Sequence, residues 1–347
     1  MGNKITRKNH YVPQFYLDGW AEEQKIWRYE LIVPNQHCPI WQQGYVESTG
    51  MQLDMYTRRS QGQDTDDWEN WFGTFETTAS EPLRKAREGK HLDADDWYAL
   101  IDFVAIQYLR TPTAIARLMR IGRDGLQEGI EQVSKTLSGP NTKQEVMNRP
   151  PLTDMDKMIP MTININRETG ELYTSAISGK STSLMGMKLI MEGNAHNVLH
   201  QNHWGIITCD ESISWPTSDT PVIMLNYYED GKYDFNGGWG RKNTEIIMPI
   251  SPKKAIYTKV KSTQSPRFHC NATLSTFIQK IIVENAYRFV YSNFEDASIP
   301  KLRRRKVDSA EYQEVKLQLD KLHRNYVENE VPMIDRFQKQ YMEQNRN

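Results

Sequence analysis

Two segments in the first half of the chain place apolar residues three or four positions apart, and the second has almost no polar face. The first covers residues 68–83. The second, residues 97–108, also carries Phe103 and Ile106 opposite its main apolar face. This spacing is typical of α-helices, and a helix that is apolar on most sides lies inside a protein. We therefore predict a fold built around residues 97–108 as a nearly surrounded helix.

Local signals set the ends of these helices. Gly89 favours a break after the first helix, and Asp93 or Asp95 can cap the N-terminus of the second. Pro112 removes a backbone donor and crowds the preceding turn. A kink is therefore predicted just before Pro112, with helix resuming to about residue 136.

The rest of the chain mixes short β-branched or aromatic runs with Gly, Asp, Asn and Pro, a pattern typical of antiparallel strands joined by turns. The predicted strands cover residues 25–33, 52–57, 203–209, 212–216, 222–225, 245–250, 255–260 and 289–292, and a hairpin joins residues 162–165 to 172–175. Helices are predicted at 182–200 and 271–287, and residues 138–160 form a linker or long loop. The predicted fold class is α+β, with helices packed around an antiparallel sheet.

A long, highly charged helix is predicted for residues 308–344. Its apolar residues lie four, three and four positions apart, the spacing with which a helix packs on a partner helix: Val315, Leu319, Leu322 and Tyr326. Pro332 should kink or break this helix. We expect one α+β domain over residues 1–300, helical over 64–136 and sheet-rich over 160–292, followed by the C-terminal helix. That helix is the expected contact with a partner protein or with a second copy of the chain.

The overall composition limits the classes of partner. Because 43 Lys and Arg oppose 44 Asp and Glu, the formal net charge is -1, and no overall field draws the chain to nucleic acid or an acidic membrane. Nucleic-acid binding therefore needs a local patch, for which residues 301–306 are the candidate. The three cysteines are too widely spaced for a disulfide framework or a zinc motif. The polar, basic N-terminus has no apolar stretch behind it, which argues against a signal peptide, and the longest apolar stretch is too short to span a membrane. We therefore expect a cytoplasmic protein without a membrane partner.

Three polar residues in apolar surroundings are the candidate catalytic residues. His10 is a candidate general base or metal ligand, or else it bonds a backbone carbonyl and fixes the N-terminal arm. Asp219 can orient His10 or hold a metal, or else it caps backbone N–H groups. Arg110 can clamp a phosphate, or else it forms an internal ion pair with Glu69 or Glu76.

Other polar residues are candidates for substrate or metal binding. Gln107 and Thr111 share a helical face and, with Gln14, are the candidate substrate-binding residues. For Gln14, a hydrogen bond to a sheet edge is the favoured alternative. A divalent metal is the candidate cofactor, with no ligand set assigned. The spacing of His196, His200 and His203 suits a transition metal. Since we expect no acidic partner beside them, we interpret them as structural or exposed.

Four motifs give the chain a family resemblance. They are HYVPQFYL at residues 10–17, QYLRTP at 107–112, TSDTPV at 217–222 and NAYRFVY at 285–291. In this order they resemble a large, mostly bacterial family of domains of unknown function, over residues 8–292. Thr220 stands where the family more often has Asn. Some members occur among genes for phage defence, which slightly favours an effector directed at nucleic acid.

Two hypotheses for the function follow. The first is a nuclease or phosphoester hydrolase acting on nucleic acid or nucleotides, in which His10, Asp219 and Arg110 line one pocket. The alternative is a non-enzymatic module that binds a ligand or another protein through the same polar groups.

Overall fold

A computed structural model describes residues 5–60, 63–137, 161–165, 172–176, 178–229, 231–264, 266 and 268–344. Its helices are α1 (Gln14–Leu17), α2 (Asp67–Glu88), α3 (Ala94–Leu109), α4 (Pro112–Leu137), α5 (Lys180–Glu192), α6 (Asn194–His200), α7 (Ala272–Asn285), α8 (Ile299–Leu302), α9 (Ser309–Asn325) and α10 (Val331–Gln344). A 3-10 turn covers Val46–Ser48 and a π turn covers Tyr326–Glu330.

The strands are short and spread along the whole chain. They are β1 (Lys8–His10), β2 (Lys25–Glu30), β3 (Ile32–Val33), β4 (Trp41–Tyr45), β5 (Met51–Leu53), β6 (Arg58–Ser60), β7 (Gln63–Thr65), β8 (Met161–Ile165), β9 (Leu172–Ala176), β10 (Trp204–Thr208), β11 (Thr217–Ser218), β12 (Ile223–Glu229), β13 (Lys232–Asp234), β14 (Glu245–Ser251), β15 (Lys254–Lys259), β16 (Phe289–Ser292) and β17 (Lys306–Val307). The α+β fold class is confirmed, as is the hairpin of β8 and β9, in which Thr162 lies opposite Ser175.

The α2–α3 pair forms the centre of the main core, as the apolar spacing predicted. Phe103, Val104 and Leu100 of α3 are almost completely buried. The turn between the helices follows the sequence signals. Gly89 ends α2 in the left-handed conformation, and Asp93 caps α3 by accepting from the backbone N–H of Asp96. These local contacts fix the angle at which α3 enters the core.

A five-stranded antiparallel sheet, ordered β10-β15-β14-β12-β13, lies between two helical layers. Along β14, Ile246 and Met248 point into the core that contains α2 and α3, and the intervening Ile247 points into a second core with α7. Because successive strand residues face opposite sides, this alternation buries both faces of the sheet. A four-stranded sheet, β11-β16-β2-β4, joins the N-terminal strands to the end of α7.

Several boundaries differ from the prediction. Residues 212–216 form no strand, because Trp215 is instead buried with its indole N–H donating to the Ser275 carbonyl. The helix predicted over 182–200 is two helices, since Gly193 between them is extended. The strand predicted at 25–33 is two strands, β2 and β3, separated at Leu31. The strand predicted at 52–57 ends at Leu53. The linker predicted at 138–160 lies outside the described residues.

The C-terminal helical segment, α9 to α10, docks on its own chain. Leu322 packs against the main core and Tyr326 is buried. Glu330 accepts hydrogen bonds from the backbone N–H groups of Lys180 and Ser181, at 2.8 and 2.9 Å, and so caps α5. The break predicted at Pro332 takes the form of the π turn just before it. Two residues of the seam predicted for a partner helix, Leu322 and Tyr326, therefore pack within this chain.

None of the described helices is both long enough and apolar enough to cross a bilayer.

Candidate functional site

The N-terminal motif is held by the C-terminal end of α3. Arg110, which is fully buried, donates to the Glu76 carboxylate and to the backbone carbonyl of His10, and its guanidinium lies 4.8 Å from the Phe72 ring centroid. Gln107 Nε2 donates to the Tyr11 carbonyl at 2.8 Å. The ion pair expected as the alternative for Arg110 is thus present, with Glu76 as its partner.

His10 itself is half-buried beside the 3-10 turn. Its Nε2 lies 3.0 Å from the Glu47 carbonyl oxygen, and burial lowers the pKa of the imidazole below its usual value. This is the backbone contact expected if the histidine fixes the N-terminal arm. The catalytic assignment of His10 stays a prediction.

Asp219 binds backbone N–H groups of the NAYRFVY segment. Its carboxylate accepts from Tyr287 at 2.9 Å, from Arg288 at 2.7 Å and from Phe289 at 3.2 Å. Burial raises the pKa of this carboxyl to about 6, and the three N–H groups oppose that shift. Asp219 therefore fastens the TSDTPV loop to the start of β16.

A second pair of bonds strengthens this connection. Thr220 Oγ1 donates to the Asn285 carbonyl at 2.7 Å, and Asn285 Nδ2 donates to the Thr220 carbonyl at 2.8 Å. Within the described part of the chain, no hydrogen bond or ion pair joins the Asp219 side chain to His10 or Arg110. The motifs meet in space, but these polar side chains mainly hold backbone.

The remaining substrate-binding candidates occupy different settings. Thr111 lies before α4, and its Oγ1 accepts from the Ala114 N–H at 3.3 Å. Gln14 is exposed at the start of α1. Gln107 is buried, and among the described residues its Oε1 has no hydrogen-bond partner. An unpaired buried acceptor is costly, so Gln107 is the candidate that most needs a ligand or water.

Three of the four motifs line one cleft of about 210 Å³, here named the motif cleft. Its walls come from the end of α3, the start of α4, the TSDTPV loop with β12, and the end of α7. The lining residues are Gln107, Tyr108, Thr111, Thr113, Ala114, Arg117, Thr220, Val222, Met224, Phe235, Asn285, Ala286 and Tyr287. Arg117 is the one charged residue in this lining as described.

A larger space of about 520 Å³ adjoins the motif cleft and is named the cationic groove. It runs between α4 and α9 and shares Thr113, Arg117 and Tyr287 with the cleft. The groove adds Arg120 and Lys321, and its described lining contains no carboxylate. Arg117 donates to the Tyr108 hydroxyl and lies 4.2 Å from that ring centroid, which keeps the guanidinium at the junction of the two spaces.

The basic run at residues 301–306 is largely tied into the fold. Arg303 donates to three carbonyls at the end of α7, and Arg305 donates to the Cys38 and Pro39 carbonyls. Lys306 pairs with Asp308 and Glu311. These contacts engage three of the five basic residues in the run, while the other two, Lys301 and Arg304, are exposed.

A further open space of about 530 Å³ lies between the α2–α3 turn and β15, lined in part by His91 and His269. None of the four sequence motifs contributes to it. Lys254 in its wall donates to the Arg87 carbonyl at 2.8 Å and so completes the end of α2. We assign this space no function.

The structure also brings together residues that the sequence separates. Asp102 of α3 lies beside His196 and His200 of α6, so the histidines do have an acidic partner, contrary to our interpretation. The only signal in the sequence was the four-residue spacing of the histidines. Because Asp102 comes from another helix, only the packing of α3 on α6 reveals it.

The family model described as "Protein of unknown function (DUF4238)" matches residues 8–296, which include all four motifs. No curated protein and no solved structure gives a significant match.

Proposed function

This chain belongs to the DUF4238 family, and we propose that it binds a phosphate-bearing small molecule of the nucleotide type in the motif cleft and cationic groove. The observation that carries the proposal is the charge of these walls. Arg117, Arg120 and Lys321 line them, and no described lining residue is acidic. Guanidinium groups suit phosphate because their planar N–H donors can bind two oxygens at once.

The size of the site favours a mononucleotide over a polymer. Ligand pockets usually enclose about 300–1,000 Å³. The motif cleft, about 210 Å³, falls below this range, but the adjoining groove of about 520 Å³ brings the site within it. A duplex would instead need an extended basic surface.

The cleft also offers groups that suit a base and sugar. Tyr108, Phe235 and Tyr287 supply aromatic surface for stacking. Gln107 is a wall residue of the cleft, and its buried Oε1 is an acceptor without a partner among the described residues. We expect the phosphates near Arg117 and the base near Gln107.

Hydrolysis of the bound molecule is a separate proposal. His10, Asp219 and Arg110 are not among the residues lining the cleft or the groove, and each has a backbone contact to maintain. The positions therefore support binding more than turnover. Assaying nucleotides and nucleic acids with and without Mg²⁺ or Mn²⁺, using His10→Ala alongside the parent chain, tests the enzymatic hypothesis.

Calorimetric titration with ATP, AMP, adenosine and inorganic phosphate tests the binding proposal. We expect the nucleotides to bind, adenosine to bind at least about tenfold more weakly, and Arg117→Gln to lose at least about tenfold in nucleotide affinity. The matched control is Arg123→Gln, since Arg123 lies on the same helix, is exposed and neighbours Asp124. Absence of nucleotide binding, or equal losses in the two variants, would contradict the proposal. Binding only to single-stranded oligonucleotides, unaffected by Arg117→Gln, would place the ligand elsewhere.

A further inference from the structure

Three side chains from two helices meet at one point on the far side of α3 from the motif residues Gln107 and Tyr108. Asp102 Oδ1 lies 2.9 Å from His196 Nε2 and 2.8 Å from His200 Nε2, and the two nitrogens are 3.4 Å apart. His196 and His200 are one helical turn apart on α6, so both imidazoles project from the same face towards α3. From this geometry we propose that Asp102, His196 and His200 bind a transition-metal ion of the zinc class.

The distances suit such an ion. Zinc binds nitrogen at about 2.0–2.1 Å, so two ligand nitrogens in a tetrahedral site lie about 3.4 Å apart. The separation of the imidazole nitrogens equals this value, and small outward shifts of Asp102 would open the other two edges. Two imidazoles and one carboxylate select zinc, cobalt or nickel over magnesium and calcium, which prefer oxygen ligands.

The site is partly enclosed and held in place. The side chains of His196 and His200 are 12% and 11% exposed, and that of Asp102 is 27% exposed. Tyr98 stacks on the His200 ring at 3.9 Å between centroids, which fixes the plane of the imidazole. The partial exposure leaves room for water as a fourth ligand.

One feature of His200 limits the affinity of the cluster for a metal ion. A ligating histidine usually donates its other ring nitrogen to a carbonyl or carboxylate, but His200 Nδ1 is buried without such a partner among the described residues. We therefore expect a dissociation constant in the micromolar range. Without metal, Asp102 can accept hydrogen bonds from both histidines, which is the competing explanation for the cluster.

Titration of the chelator-treated chain with Co²⁺ and Zn²⁺ distinguishes the two explanations. We expect one Co²⁺ per chain, visible absorption of tetrahedral cobalt, displacement by Zn²⁺, and no binding of Mg²⁺ at the same concentration. His196→Gln and Asp102→Asn should each weaken Co²⁺ binding at least tenfold.

His203→Gln is the matched control, because His203 lies in the next turn of chain, is exposed, and is not part of the cluster. It should bind Co²⁺ as the parent does. Far-UV circular dichroism identifies any variant that fails to fold, and the other variant then decides the result. No Co²⁺ or Zn²⁺ binding by the folded parent chain, or equal binding by the folded variants, would leave the hydrogen-bonded cluster as the correct account.

Discussion

Replacing Arg110 with Met separates the two roles predicted for this residue. If Arg110 were a phosphate clamp, the variant would lose a ligand contact and keep its stability. In the structure the guanidinium is fully buried, bound to Glu76 and to the His10 carbonyl. We therefore expect Arg110→Met to destabilise the fold and to leave nucleotide binding by the folded fraction close to that of the parent chain.

The expected loss of stability follows from the groups that the substitution leaves without a partner. Breaking a buried ion pair by removing one partner costs about 3–5 kcal/mol, because the other charge stays buried without compensation. The Glu76 side chain is 28% exposed, so water can solvate part of its charge. The His10 carbonyl also loses a donor, which costs about 1 kcal/mol. We expect the free energy of unfolding to fall by about 3–4 kcal/mol.

Urea titration followed by tryptophan fluorescence measures this change. Arg84→Met is the control, since Arg84 also contacts two carboxylates, Glu81 and Glu88, but on the exposed face of α2. It should change stability little, because surface ion pairs contribute little. Adding Glu76→Gln to Arg110→Met should recover part of the lost stability, because it removes the carboxylate charge that Arg110 no longer neutralises. A loss below about 1 kcal/mol for Arg110→Met would refute this reasoning.

Two further perturbations test buried polar groups. Burial lowers the pKa of Lys180 to about 7 from 10.5, so the unfolded chain binds more protons than the native chain between these two pH values. The free energy of unfolding should therefore rise with pH in this range, by at most about 1.4 kcal/mol per pH unit. Urea titration at several pH values should show this slope for the parent chain and not for Lys180→Met. Asp219→Asn leaves one acceptor oxygen for three backbone N–H groups. It should lower the free energy of unfolding by about 1–3 kcal/mol in the same titration. An unchanged value would show that water replaces the lost bonds.

The sequence predicted features that depend on neighbouring residues. The spacing around Phe103 identified the central helix, and Gly89, Asp93 and Pro112 marked helix ends at positions that the structure confirms. Each of these signals acts within one or two turns of backbone. The strand predicted at 212–216 was wrong because Trp215 is placed by a contact with distant α7.

Site geometry was harder to predict, because it depends on contacts between distant segments. The spacing of His196 and His200 was visible, but Asp102 reaches them only through the packing of α3 on α6. In the same way, Arg117 lies outside the recognised motifs and joins them only in the wall of the cleft. The notable polar residues in the sequence mostly proved to hold backbone, and charged residues that looked ordinary line the cationic groove.

Gln107 shows why a motif residue need not be only structural or only functional. Its amide nitrogen fastens the N-terminal arm at the Tyr11 carbonyl, while its oxygen has no partner within the described chain and the residue lines the motif cleft. Thr220 similarly joins the TSDTPV loop to Asn285 in the same wall. The first bond joins HYVPQFYL to QYLRTP and the second joins TSDTPV to NAYRFVY, so the four motifs are fastened in two pairs. Gln107, Thr220 and Asn285 themselves form part of the cleft wall, so these motif residues can influence ligand binding even where their bonds are to backbone.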